Sequence, residues 1–224
     1  DDRVPFRVAF AQIWAEPRAR AFAVFVFLSM TAYFMQELII EPFAGHVFGF
    51  TPGQSTSMAG LQNGGVFAGM LTVGAAASGL GLGSLRLWTA CGCLGSAAAL
   101  AAIALAGLSG PDAPLLPAVF ALGFFNGAFA VAAIAAMMQL AGDGREGREG
   151  TRMGLWGAAQ AIAAGLGGLV GAAAVDGMRR LTPDLAQAYG AVFLAEAALF
   201  VAAALLALRV VAARPAPNRL EPAG

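Results

Sequence analysis

The chain has 224 residues, 59% of them hydrophobic and 12% charged, and its formal net charge is zero. Mean hydropathy is +0.74, whereas soluble domains are nearer about 45–50% apolar and about 25% charged. The composition excludes an ordinary water-soluble domain, and the absence of a basic excess gives no support to a nucleic-acid partner.

A spanning helix needs about 20 mostly apolar residues. Six segments meet that length, roughly Arg20–Ile40, Gln54–Leu80, Leu85–Leu108, Leu115–Ala141, Met153–Met178 and Leu185–Val211. They define a six-helix transmembrane domain over residues 20–211, with a leading segment 1–19 and a tail 212–224. The first twenty residues lack the apolar run of a signal peptide, and the start at Asp1 leads to the expectation of a piece of a longer protein. Thr51-Pro52-Gly53-Gln54 has the form of a helix start, with Pro at the first helical position and a capping-box Gln. Thr182-Pro183 is expected to repeat that device before the last span. Gly110–Pro114 separates spans three and four, and the Gly-rich stretch Gly142–Gly150 separates four and five.

All thirteen basic residues are Arg. Alternating spans place eleven of them on one side, and only Arg179 and Arg180 on the other. By the positive-inside rule both termini are expected in the cytoplasm. Six spans with both ends on one side divide into two sets of three, the plan of transporters built from inverted three-helix repeats. Span two carries Gly65/Gly69 and Gly74-Ala75-Ala76-Ala77; span five carries Gly167/Gly171 and Gly171-Ala172-Ala173-Ala174. The expected fold is therefore an all-α membrane protein of two inverted three-helix repeats, half of a twelve-span major-facilitator-type fold. The N-terminal six-span half of the same protein would be its partner. Cys91 and Cys93, two residues apart, point to different faces of a helix and are expected as packing residues.

Polar groups gather between Met35 and Met70, with Gln36, Glu37, Glu41, the single histidine His46, Gln54, Gln62 and Asn63. The run Gln36-Glu37-Leu38-Ile39-Ile40-Glu41-Pro42-Phe43-Ala44-Gly45, then Val47-Phe48-Gly49 and Thr51-Pro52-Gly53-Gln54-Ser55-Thr56, resembles the PucC/LhaA family. Gln62-Asn63-Gly64-Gly65 and Gly150-Thr151-Arg152-Met153-Gly154-Leu155-Trp156-Gly157 extend that resemblance along the chain. This is the bacteriochlorophyll-delivery branch of the major facilitator superfamily. The resemblance implies a role in phototrophic bacteria, in assembly of light-harvesting antenna complexes in the photosynthetic inner membrane. It implies bacteriochlorophyll as the bound pigment and antenna polypeptides and the lipid bilayer as partners. The family of transporters at large carries a Gly-x-x-x-Asp-Arg-x-Gly-Arg type loop between its second and third helices. Here Gly79–Arg86 has one Arg and no Asp, which argues against ordinary alternating access.

The candidate pigment-binding residues are His46, Glu37, Glu41, Gln62, Asn63 and Glu196. Neutral imidazole is a good axial ligand for a chlorophyll magnesium; His46 is expected in an apolar, aromatic stretch between helices, where the alternative is a solvated loop. Glu37 and Glu41 are four apart and share a helix face, either as ligand or Arg partner, or as wet interface groups. Gln62 and Asn63 sit two turns into an apolar helix, where interhelical hydrogen bonding is the competing role. Glu196 lies mid-span, where a carboxylate is costly; Gln160 and Asn126 are its expected partners. Arg145, Arg148 and Arg152 are expected to set topology and touch lipid headgroups. No nucleotide loop, metal-ligand cluster or catalytic triad is present in the sequence, so a non-enzymatic assembly factor is the first reading. A secondary transporter and a subunit of a pigment-synthesising enzyme are the alternatives.

Overall fold

The computed structural model describes residues 14–142 and 149–211. Arg145, Arg148, most of the leading segment and the tail from residue 212 lie outside the described residues. The described chain forms six helices: α1 (Pro17–Phe48), α2 (Pro52–Val73), α3 (Leu85–Ser109), α4 (Leu115–Gly142), α5 (Glu149–Leu181) and α6 (Leu185–Val210). A π-helical turn, Gly74–Gly79, extends α2.

Five of the six helices are long and apolar enough to cross a membrane. The exception is α2, whose Gln54, Ser55, Thr56, Ser57, Gln62 and Asn63 dilute its hydropathy although it has 22 residues. The expectation of six apolar spans therefore holds for five, and α2 enters the bundle as a Gly-rich, polar helix.

Helix ends follow local chemistry. Thr51 and Gln54 form the expected capping box, with the Thr51 N–H donating to Gln54 Oε1 at 2.8 Å. At α6 the cap is Asp184 rather than Thr182: its carboxylate accepts from Ala186 N (2.9 Å) and Gln187 N (3.3 Å). A carboxylate reaching two orphan amides outcompetes the hydroxyl two residues earlier, and Thr182 Oγ1 instead accepts from Asp184 N. The first helix runs through Pro42 to Phe48, eight residues beyond Ile40. Pro removes one helical hydrogen bond and crowds the preceding turn. Full burial of Phe43 and Ala44 just beyond it offsets that cost. Gly49, at φ 69°, then turns the chain, and its N–H and that of Phe50 satisfy Gly45 and Ala44 carbonyls.

Packing is selective. The most extensive helix contacts are α2 with α4, α3 with α6, α1 with α5, α3 with α4, and α1 with α6. The first of these is a seam of opposed glycines. A Cβ on Gly65 or Gly69 would run into the α4 backbone at Phe120–Phe124 and Phe124–Ala128; one on Gly123 or Gly127 would run into the α2 carbonyls of Gln62 and Val66. Backbone-to-backbone approach of this kind gives dispersion contact that lipid tails cannot supply. On α5, Gly171 presses in the same way on the α1 backbone at Met35, and Gly167 on the Phe34 Cβ and the Thr31 carbonyl.

Aromatic rings fill the centre. Phe43 of α1 meets Tyr189 and Phe193 of α6, with centroids 5.6 and 5.0 Å apart. Phe129 of α4 meets both Phe25 of α1 and Phe200 of α6. At the Arg-rich end, Arg18 and Arg86 donate through Nε to the last α6 carbonyls, Val210 O (3.3 Å) and Val211 O (2.7 Å). Cys93 is core, as expected, while Cys91 is exposed.

Candidate functional site

The end of the bundle that carries Phe48 and Leu185 holds the histidine. His46 occupies the last turn of α1, not a loop between helices. Its Nδ1 lies 2.9 Å from the Tyr189 hydroxyl, and the imidazole is exposed while Tyr189 is buried. Tyr189 is set in place by Phe43, whose ring it contacts. One nitrogen of the only histidine is thus held by a buried hydroxyl. Nothing in the sequence marks Tyr189 for this role except its place in the first turns of a helix that returns beside α1.

Glu37 and Glu41 do share a face of α1, and both are exposed. They are not brought together with His46: nine residues at 100° each put Glu37 on the opposite side of the helix. Because α1 continues to Phe48, Glu37 lies eleven residues, about 16 Å, inside the helix end. It is deeper than an interface residue on a helix ending at Ile40 would be. Asn63 is likewise exposed and Gln62 half-buried on α2, with the Gln62 carbonyl packed on Gly123. A cavity of about 570 Å³ opens beside the α2 start, lined by Phe50, Thr51, Gln54, Ser57, Met58 and Leu116 among others. Its volume is in the range of small-molecule sites. An apolar groove of about 520 Å³ runs between α1, α5 and α6, past Met35, Ala174, Met178, Val192 and Ala195.

Glu196 is fully buried, and neither carboxyl oxygen has a protein hydrogen-bond partner. The expected partner Asn126 is engaged elsewhere: its Oδ1 accepts from Ser96 Oγ at 2.8 Å. Gln160, half-buried on α5, makes no bond to Glu196 either. Gln36, fully buried in α1, has both amide atoms unpartnered, as has Asn126 Nδ2. Left without any partner, five such atoms at about 1–3 kcal/mol each would cost about as much as a whole domain's stability.

Arg152 is buried and pairs with Glu16 at 2.6 Å. It ties the start of α5 to the residue capping α1, in place of the expected lipid contact. Among the described residues no group of three or more His, Cys, Asp or Glu side chains is placed to hold a metal ion.

Five long apolar helices and glycine-mediated helix seams define a multi-pass membrane protein. Residues 1–215 match the family described as PUCC protein, and the chain belongs to that family. It is 67% identical over 205 residues to the "Bacteriochlorophyll synthase 44.5 kDa chain" of Rhodobacter capsulatus, a match covering 92% of this chain and 47% of that protein. The chain thus spans about half the length of that relative. No solved structure matches it.

Proposed function

We propose that this bundle is one half of a twelve-helix, major-facilitator-type assembly factor. It holds bacteriochlorophyll for light-harvesting antenna complexes, with His46 as the magnesium ligand. The observation that carries the proposal is the fixed imidazole. In the tautomer whose Nδ1–H donates to the Tyr189 oxygen, Nε2 keeps a lone pair for a metal. A hydrogen-bonded second nitrogen is what orients and strengthens an imidazole ligand. Bound pigment supplies the chromophore and the magnesium; the protein supplies the ligand atom and apolar surroundings. No catalytic step is asked of this chain, whatever the word synthase in the relative's name denotes for that protein.

The two-repeat plan draws support from the pairing of helices. Exchanging α1 with α4, α2 with α5 and α3 with α6 turns the α2–α4 seam into α5–α1, and α3–α4 into α6–α1. The glycine pairs Gly65/Gly69 and Gly167/Gly171 exchange with them. The second half of the protein is the proposed cover for α2 and α5, where Gly60, Gly64, Gly157 and Gly165 face open space. The same cover accounts for Glu37, Glu41 and Asn63, polar groups on uncovered faces that lipid would not tolerate. Arg18, Arg20, Arg86, Arg152 and Arg209 at one end, against Arg179 and Arg180 at the other, favour both termini in the cytoplasm. Arg86 is engaged by the α6 carboxyl-terminal backbone, which leaves no charge relay in that loop and weighs against the transporter alternative.

The test is absorption spectroscopy of the full-length protein purified from a phototroph. A co-purifying bacteriochlorophyll band that is lost in His46→Leu, with helicity retained, is the expected result. Equal pigment content in the variant removes His46 as the ligand. Pigment-free wild-type protein that drives proton-dependent uptake in vesicles would replace the assembly reading with transport.

A further inference from the structure

Counting along the helices from their ring contacts places the three unpartnered amide and carboxyl side chains within about two turns of one another near mid-bundle. Phe43 stands level with Tyr189 and Phe193, whose rings it touches. Seven residues back along α1, two turns and on the same face, is Gln36. Helix α6 runs the opposite way, so Glu196, three residues after Phe193, descends to the same level within about one turn. Phe129 meets Phe200 between α4 and α6. Asn126 is three residues before Phe129, and Glu196 is four before Phe200, on helices that run in the same direction. Ser96 of α3 joins the layer through its bond to Asn126. Gln36, Ser96, Asn126 and Glu196 are each fully buried. Every described Arg lies within four residues of a helix end, so no cation reaches Glu196.

We propose that Glu196, as a neutral carboxylic acid, and the amides of Gln36 and Asn126 together bind internal water at this level, closing a polar layer across α1, α3, α4 and α6. The atoms fit that ligand. Water donates and accepts. A neutral carboxyl donates once and accepts, Gln36 offers both an oxygen and an NH₂, and Asn126 Nδ2 still has hydrogens to give. Buried water sits where two to four such groups converge, with about three hydrogen bonds each. An ionised carboxylate with only amides for company would instead leave a net charge amid apolar rings. The layer interlocks the registers of four helices, since sliding or rotating α1 against α6 removes Gln36 from it.

Infrared difference spectroscopy on the full-length protein in lipid nanodiscs tests the proposal. Wild type minus Glu196→Gln is expected to contain the carbonyl stretch of a protonated carboxylic acid and a water O–H band that shifts in H₂¹⁸O. Gln36→Leu is expected to move that carbonyl band to the frequency of a less hydrogen-bonded acid and to remove the water band. A carboxylate doublet in place of the acid band overturns the proposal, as does a water spectrum that neither variant changes. If Glu196→Gln does not fold, ¹³C-glutamate labelling of wild type and Gln36→Leu gives the same readout. An acid band that Gln36→Leu leaves unmoved then refutes the shared layer.

Discussion

Replacing Gly69 by Ala probes the α2–α4 seam more sharply than any core truncation. A Cβ at Gly69 would overlap the Phe124 carbonyl oxygen and lie 2.9 Å from Ala128 N. Both obstacles are backbone, so no rotamer change relieves them and α2 must move off α4. Overpacking costs typically about 1–3 kcal/mol, while Gly→Ala in a helix returns up to about 1 kcal/mol of propensity. Gly64, on the same helix, meets nothing within 4 Å, so in the six-helix chain alone Gly64→Ala carries the propensity gain without the clash. Gly69→Ala is therefore expected to be about 1–3 kcal/mol less stable than Gly64→Ala, roughly a 5- to 150-fold difference in the unfolding constant. Unfolding in mixed micelles by titrated denaturing detergent, followed by circular dichroism, measures it. Adding Gly127→Ala should cost less than it does alone, since the helices have already parted. Equal stability of the Gly69 and Gly64 variants would mean the seam is not close-packed.

Removing the Ser96 hydroxyl with Ser96→Ala deprives Asn126 Oδ1 of its donor and should cost about 0.6–2 kcal/mol in the same assay. Glu16→Gln leaves Arg152 buried without its counter-charge; because Glu16 is itself about a third exposed, the loss should be near 1 kcal/mol rather than that of a sealed pair. Tyr189→Phe keeps the Phe43 contact but frees the imidazole, so pigment retained on the full-length protein should fall several-fold with stability little changed. Retention at the wild-type level would separate Tyr189 from the pigment site.

Apolar length and Gly/Pro punctuation made the helix order readable, because both act locally. The α1 end was not readable in that way: Pro42 is a breaker on its own, and only Phe43 packing on α6, about 150 residues away in sequence, carries the helix past it. The same distance hides Tyr189 as the partner of His46. Glu196 announced itself as a buried carboxylate, yet its setting did not, since Asn126 turns its Oδ1 to the Ser96 hydroxyl instead. Gln36 stood inside the family motif, and its burial follows only from its two-turn spacing to Phe43. For α2, counting polar residues would have separated it from the five apolar helices.

The partners of α1 are the last two helices of the chain to be made, so the order of synthesis matters. While α2, α3 and α4 enter the bilayer and close their own seams, α1 waits without α5 or α6. During that interval Gln36, Glu37 and Glu41 face lipid or whatever protein shelters them. Non-local pairing of this kind is slow and leaves sticky intermediates. The carbonyls at the α6 end that receive Arg18 and Arg86 are the last of these contacts to be synthesised.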